Sequence, residues 1–209
     1  MQRSDKLNNT KNIIYIYMAK KLPLYKLVLT DEDEGVDYVS FVDSPAIEQD
    51  FFAFAKEEDN QLLTKFKVDP KRRIVMGAMM LPDIPIYRNN GKEEFMVVFD
   101  KQTIEKVAQK FFKKGLSNNV NVDHSQKVEG VHLYQSFITD KETGVQAPKG
   151  YPKVPEGSWF GAYKVENDAV WQSVLNGTFK GFSIEGLFNK QPVKMSILEE
   201  VEYLFKDIN

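Results

Sequence analysis

Along this chain apolar and polar residues alternate over short runs more often than they recur at helical spacing, a pattern that predicts about eight strands and three helices. Residues 25–30 and 36–42 are β-rich runs separated by the acidic turn Asp31-Glu32-Asp33-Glu34-Gly35, which suggests an opening hairpin. Pairing should stop at Asp43-Ser44-Pro45-Ala46, because proline has no N–H to donate. Phe51-Phe52-Ala53-Phe54 is a compact apolar cluster ahead of the charged stretch 56–61. Residues 62–68 and 73–81 read as two further strands, and the second, almost wholly apolar, reads as central. Pro82, Pro85 and the turn Asn89-Asn90-Gly91 punctuate the approach to another strand at 94–99.

The period then changes. Over 101–114 the apolar residues Ile104, Val107, Ala108, Phe111 and Phe112 fall at helical spacing, with Asp100 as N-cap and Gly115 as the stop. Short and long strands follow at 120–122 and 128–138, separated by a turn at Ser125-Gln126-Lys127. Residues 139–157 hold three prolines and three glycines and form the longest loop. A strand at 159–165 leads to a helix capped by Asn167 and ending at Gly177, with Val170, Trp171, Val174 and Leu175 inward. The segment 177–188 reads as a buried strand, and a last helix over 196–208 opens with Ser196 and Glu199 at capping-box spacing. Consecutive β-runs predominate, so the expected fold class is α+β: a mainly antiparallel curved sheet or barrel surrounded by about three helices. Three regions are expected: an N-terminal extension over 1–21, a domain over 22–190 and a C-terminal helix over 191–209. Met18-Ala19-Lys20-Lys21 resembles an ordinary cytosolic start.

Composition narrows the function classes. With 42% hydrophobic residues in 209, the chain can bury a core without staples. It has no cysteine, hence no disulfide framework and no thiolate nucleophile, which fits a reducing compartment. A net charge of −2, from 28 basic and 30 acidic residues spread along the chain, offers no basic stripe for phosphates, so no nucleic-acid partner is expected. No apolar run approaches the roughly 18–20 residues needed to span a bilayer, so no membrane partner is expected either. Phosphate-loop and dinucleotide glycine patterns are missing, as is H-E-x-x-H, and neither a cofactor nor a metal is expected.

The candidate chemistry rests on three side chains. In the run 177–188, period two puts Ser183 and Glu185 on one face, opposite Phe182 and Ile184, with the small Gly181 leaving room beside the hydroxyl. Such a serine is ordinarily a buried strand residue bonded to a carbonyl. His124 ends the strand Val120-Asn121-Val122 at a turn, where its ring is reachable, and a serine becomes a nucleophile when an imidazole takes its proton. His132, the other histidine, sits inside the next strand as a structural residue or a third member. The hydrolase elbow G-x-S-x-G is absent, since position 185 is glutamate, which disfavours an α/β-hydrolase.

At these residues the chain resembles a known family. Residues 118–124, Gly157-Ser158-Trp159-Phe160, Val165-Glu166-Asn167-Asp168 and 177–188 are similar to the prohead (capsid-maturation) serine proteases of tailed phages. The likeness is strongest to the phage serine protease group with an N-terminal F-V-D-S-P-A segment, here residues 41–46. That family resembles herpesvirus assemblin, which implies an antiparallel barrel wrapped by helices and a triad of His, Ser and a third His or acid. His124 then matches the general base and Ser183 the nucleophile. The third member does not carry over, because no histidine follows Ser183. Glu185 is the nearest acid, although two residues along a strand is about 6.5–7 Å and an awkward reach. His132 stays in reserve, Glu199 is occupied by capping, and Glu200 and Glu202 read as a solvated helix face. The resemblance implies a serine endopeptidase that cleaves phage scaffold and major capsid protein, and itself, inside the assembling procapsid in the host cell cytoplasm. The alternative is a non-catalytic head-assembly protein on the same fold. Assemblin-like proteases often dimerise, and no stripe in this chain identifies a homodimer interface.

Overall fold

The computed structural model describes residues 22–31, 34–43, 65–151 and 154–193. In chain order these form β1 (Leu24–Val28), β2 (Gly35–Val42), β3 (Lys67–Asp69), β4 (Ile74–Met80), β5 (Ile86–Asn89), β6 (Glu94–Val98) and α1 (Lys101–Lys113). There follow β7 (Val120–Val122), β8 (Gln126–Lys127), β9 (Val131–Ile138), β10 (Trp159–Val165), α2 (Asp168–Leu175), β11 (Gly181–Leu187) and β12 (Asn189–Pro192). The strands are dealt into three four-stranded sheets, in the orders β12-β1-β6-β5, β3-β4-β10-β9 and β11-β2-β7-β8.

The α+β barrel surrounded by helices is not what forms. Among the described residues there are two α-helices, and no sheet closes on itself. The physical reason lies at the sheet edges: β3 pairs over three residues and β8 over two, too short to carry a hydrogen-bonded ladder around a barrel. The expected opening hairpin is also absent. β1 pairs with β12 and, in parallel, with β6, whereas β2 pairs with β11 and, in parallel, with β7. Between them Glu34 turns its carboxylate back onto the N–H groups of Thr30 and Asp31, closing a loop in place of a ladder. The segment 1–21, Ser44-Pro45-Ala46, the cluster Phe51–Phe54 and the C-terminal helix lie outside the described residues.

The second and third sheets meet through their apolar faces. On β4 and β10, Gly77 stands opposite Gly161 and Val75 opposite Tyr163, and this row faces inward. The missing side chains at Gly77 leave a seat for the Phe182 ring, which would lie 3.2 Å from a Cβ placed there. At Gly161 the space is taken by Met79 and Leu133, within 2.7 and 2.9 Å of such a Cβ. Phe41, Phe66, Tyr163 and Phe182 pack as one ring cluster with centroids 4.5–5.5 Å apart. Each buried ring contributes about 1.5–3 kcal/mol through burial alone. The opposite face of the second sheet is covered by the long loop. Tyr151 packs on Phe160 and donates its hydroxyl to the carbonyls of Lys65 and Met76.

Both helices start at the side chains expected to cap them. Asp100 accepts from the Thr103 N–H and Asn167 from the Val170 N–H. α1 turns Ile104, Val107 and Phe111 inward, with Phe111 edge-on to Trp159. Phe112 and Leu175, read as members of the apolar faces, are instead exposed.

The loop at Glu34 yields a pH prediction. The Thr30 N–H first, then the Asp31 N–H and the Thr30 hydroxyl, hold the Glu34 carboxyl below its ordinary 4.5. Its folded value is depressed, so its contribution is fully present above 4.5 and is lost as pH falls through the folded value. Glu34→Gln should therefore lower stability at pH 7 and flatten the loss of stability below pH 4.5, read as urea midpoints against pH.

Candidate functional site

Three adjacent strands of the third sheet carry the same triplet: a small polar residue between two apolar ones. They are Val39-Ser40-Phe41 on β2, Val120-Asn121-Val122 on β7 and Phe182-Ser183-Ile184 on β11. The ladders align the three polar residues, Ser183 opposite Ser40 and Ser40 opposite Asn121. Alternation sends the flanking apolar groups into the core, and a row of Ser183, Ser40 and Asn121 forms on the other face. All three are buried. Glu185, one pleat beyond Ser183, shares that face.

His124 joins this row from a strained turn. Asp123 and His124 both have positive φ, at 46° and 55°, and the Ser125 N–H closes the turn on the Val122 carbonyl. Left-handed backbone at a non-glycine residue costs of order 1–3 kcal/mol and persists where surrounding contacts hold it. Here the Asp123 N–H donates to the Phe41 carbonyl and the His124 N–H to the Ser40 hydroxyl at 3.0 Å. The turn brings the His124 ring back over β2, so that Nδ1 lies 3.0 Å from Oε1 of Glu185. The same carboxylate oxygen accepts the Asn121 amide at 2.6 Å. A carboxylate at Nδ1 fixes the tautomer with its proton there and leaves Nε2 free to accept one. The ring is half exposed, with 45% of the side chain accessible, so Nε2 can exchange protons with an incoming group.

The structure thus brings His124 and Glu185 together, with Ser183 two residues before Glu185 on the same face and cross-strand from Ser40. It contains no hydrogen bond between Ser183 and His124. Hydrogen bonds of this kind are often long before substrate arrives. Ser183 and Glu185 border a cavity of about 590 Å³ that runs along β11 between β4 and the first sheet. His132 stands elsewhere, on β9 in the second sheet, opposite Lys164. None of the described residues of the loop 139–157 lines that cavity.

Ser40 and Asn121 are site residues that a reading of candidate nucleophiles and bases passes over. The signal was present as the repeated triplet, which becomes visible only once β2, β7 and β11 are known to be neighbours. Asn121 is 6% exposed, and its Oδ1 has no partner among the described residues. Its Nδ2 group donates to Glu185 Oε1. Replacing it by aspartate sets two carboxylates against each other, which raises the value of one of them in the folded state. Asn121→Asp should be destabilised relative to the wild type by a margin that widens as pH rises from 4 to 7, because stability tied to a raised group is lost with rising pH. Thermal melts at the two pH values would check it.

A family described as "Putative phage serine protease XkdF" matches residues 59–191, a stretch that contains His124, Ser183 and Glu185. No curated protein and no solved structure matches the chain.

Proposed function

We propose, from the premise that the chain belongs to the phage serine protease XkdF family, that it is an endopeptidase using Ser183, His124 and Glu185. The observation that carries this reading is the 3.0 Å contact from His124 Nδ1 to Glu185 Oε1, on the sheet face that Ser183 shares. In this mechanism His124 Nε2 takes the proton of Ser183 as its Oγ attacks a peptide carbonyl, and then passes it to the leaving amine. Glu185 holds the ring in that tautomer and stabilises the imidazolium. Backbone N–H groups hold the oxyanion. Water repeats the sequence in reverse to free the acyl group.

The substrates in this reading are phage scaffold and capsid-protein segments, with the enzyme itself, inside the procapsid in the host cytoplasm. Confinement there supplies a high effective concentration, so modest intrinsic activity suffices. The second reading, a non-catalytic head-assembly protein, is favoured by one observation: no hydrogen bond joins Ser183 to His124.

Co-expression with the neighbouring scaffold and capsid proteins, read by intact mass, separates the two. The wild type should produce fragments, and Ser183→Ala, folded to the same melting temperature, should produce none. Glu185→Gln should slow cutting by roughly 10²–10⁴-fold, as loss of a ring-orienting carboxylate does. A wild type that enters procapsids and cuts nothing would support the assembly reading.

A further inference from the structure

The cavity beside Ser183 is bounded by two strand edges that lack partner strands among the described residues. β11 is the terminal strand of the third sheet, paired with β2 on one side. On its other side the Lys65–Gly181 bridge occupies the first residue, and from Phe182 to Leu187 no strand pairs with it among the described residues. β4 is in the same position. β3 covers only Ile74, Val75 and Met76, so the edge of β4 from Gly77 onward has no strand on that side among the described residues. The two edges meet where Phe182 seats on Gly77, and the cavity opens beyond that contact, lined by Met79, Met80 and Leu81 on one side and 182–188 on the other. Unpaired N–H and C=O groups at strand spacing are a template for one kind of ligand, an extended polypeptide.

The cavity is lined mainly by apolar side chains. Its floor comes from the first sheet and the residue after β6: Leu27, Ile86, Phe95, Val97 and Phe99. The polar groups around it are already engaged. Glu185 holds His124 and Asn121, the Arg88 guanidinium donates to the Tyr87 carbonyl, and the Lys190 ammonium lies 4.1 Å from the Phe95 ring centroid and 3.4 Å from Glu93. At about 590 Å³ the volume falls within the range of pockets that enclose a ligand group.

We infer that this cavity is a specificity pocket, which takes a bulky apolar side chain of an extended polypeptide at a fixed position beside the bond that Ser183 attacks. The inference rests on the protease reading and adds to it the class of substrate. A strand laid along β11 sends alternate side chains to one face, so one of them enters the pocket while its backbone pairs with the edge. A small or charged residue there would leave the Phe95 and Val97 walls wet or strand a charge against them.

The test is digestion of a library of unfolded peptides by the purified full chain, with cut sites mapped by mass spectrometry. Leu, Met, Phe or Tyr should be enriched at one fixed position by at least about 10-fold over Ala, the discrimination an apolar pocket gives. Leu27→Trp, which narrows the pocket from a half-buried position, should move the preference at that position to Ala and Gly. Val97→Phe is the second variant, and melts of both show which of them folds. Cleavage without enrichment at any position overturns the inference and leaves the protease reading intact, as does unchanged preference in a folded narrowed variant. If the wild type cuts no peptide while the chain is folded, both fall.

Discussion

The seat of Phe182 on Gly77 is the constraint from which the site follows. A Cβ at Gly77 would lie 3.2 Å from that ring, tighter than ordinary contact, so the ring would have to give by a few tenths of an ångström for β11 to stay this close to β4. Because Phe182 must enter this seat, strand alternation leaves Ser183 no choice of face. A slip of one residue would place the serine in the ring cluster of Phe41, Phe66 and Tyr163, and the phenylalanine in the polar row. Burial of the rings thus fixes the register of the nucleophile candidate.

The polar row works under the opposite economy. It gains little from burial and holds a turn with two left-handed non-glycine residues. What compensates is a closed set of hydrogen bonds: the His124 N–H to Ser40, the His124 ring to Glu185, and the Asn121 amide to the same carboxylate. Networks of this sort strengthen one another in a low-dielectric setting. They also restrict the imidazole to one orientation.

Local features of the fold were legible in the sequence, and long-range ones were not. The helix after Asp100 and the one after Asn167 were readable from their caps and apolar spacing, because both signals lie within four residues of one another. The partition into three sheets depends instead on β1 lying parallel to β6 and β2 to β7, pairings between segments about 70–80 residues apart that leave no local trace. β12 was also invisible, since Asn189-Lys190-Gln191-Pro192 is exposed throughout and shows no alternation. For the site, Ser183 and His124 stood out by residue type. Asn121 and Ser40 carry no chemistry of their own and are informative only as neighbours.

Glu185 was the least comfortable member of the trio as read from sequence, because two residues along a strand separate it from Ser183. The topology removes the difficulty. His124 comes from β7, two strands away from β11, and its ring lies across β2 instead of along β11. A carboxylate and a hydroxyl one pleat apart, at about 6.5–7 Å, are spaced to flank an imidazole that hydrogen-bonds through both nitrogens. The carboxylate half of that bridge is made at 3.0 Å. The hydroxyl half is not made, since no hydrogen bond joins Ser183 to the ring.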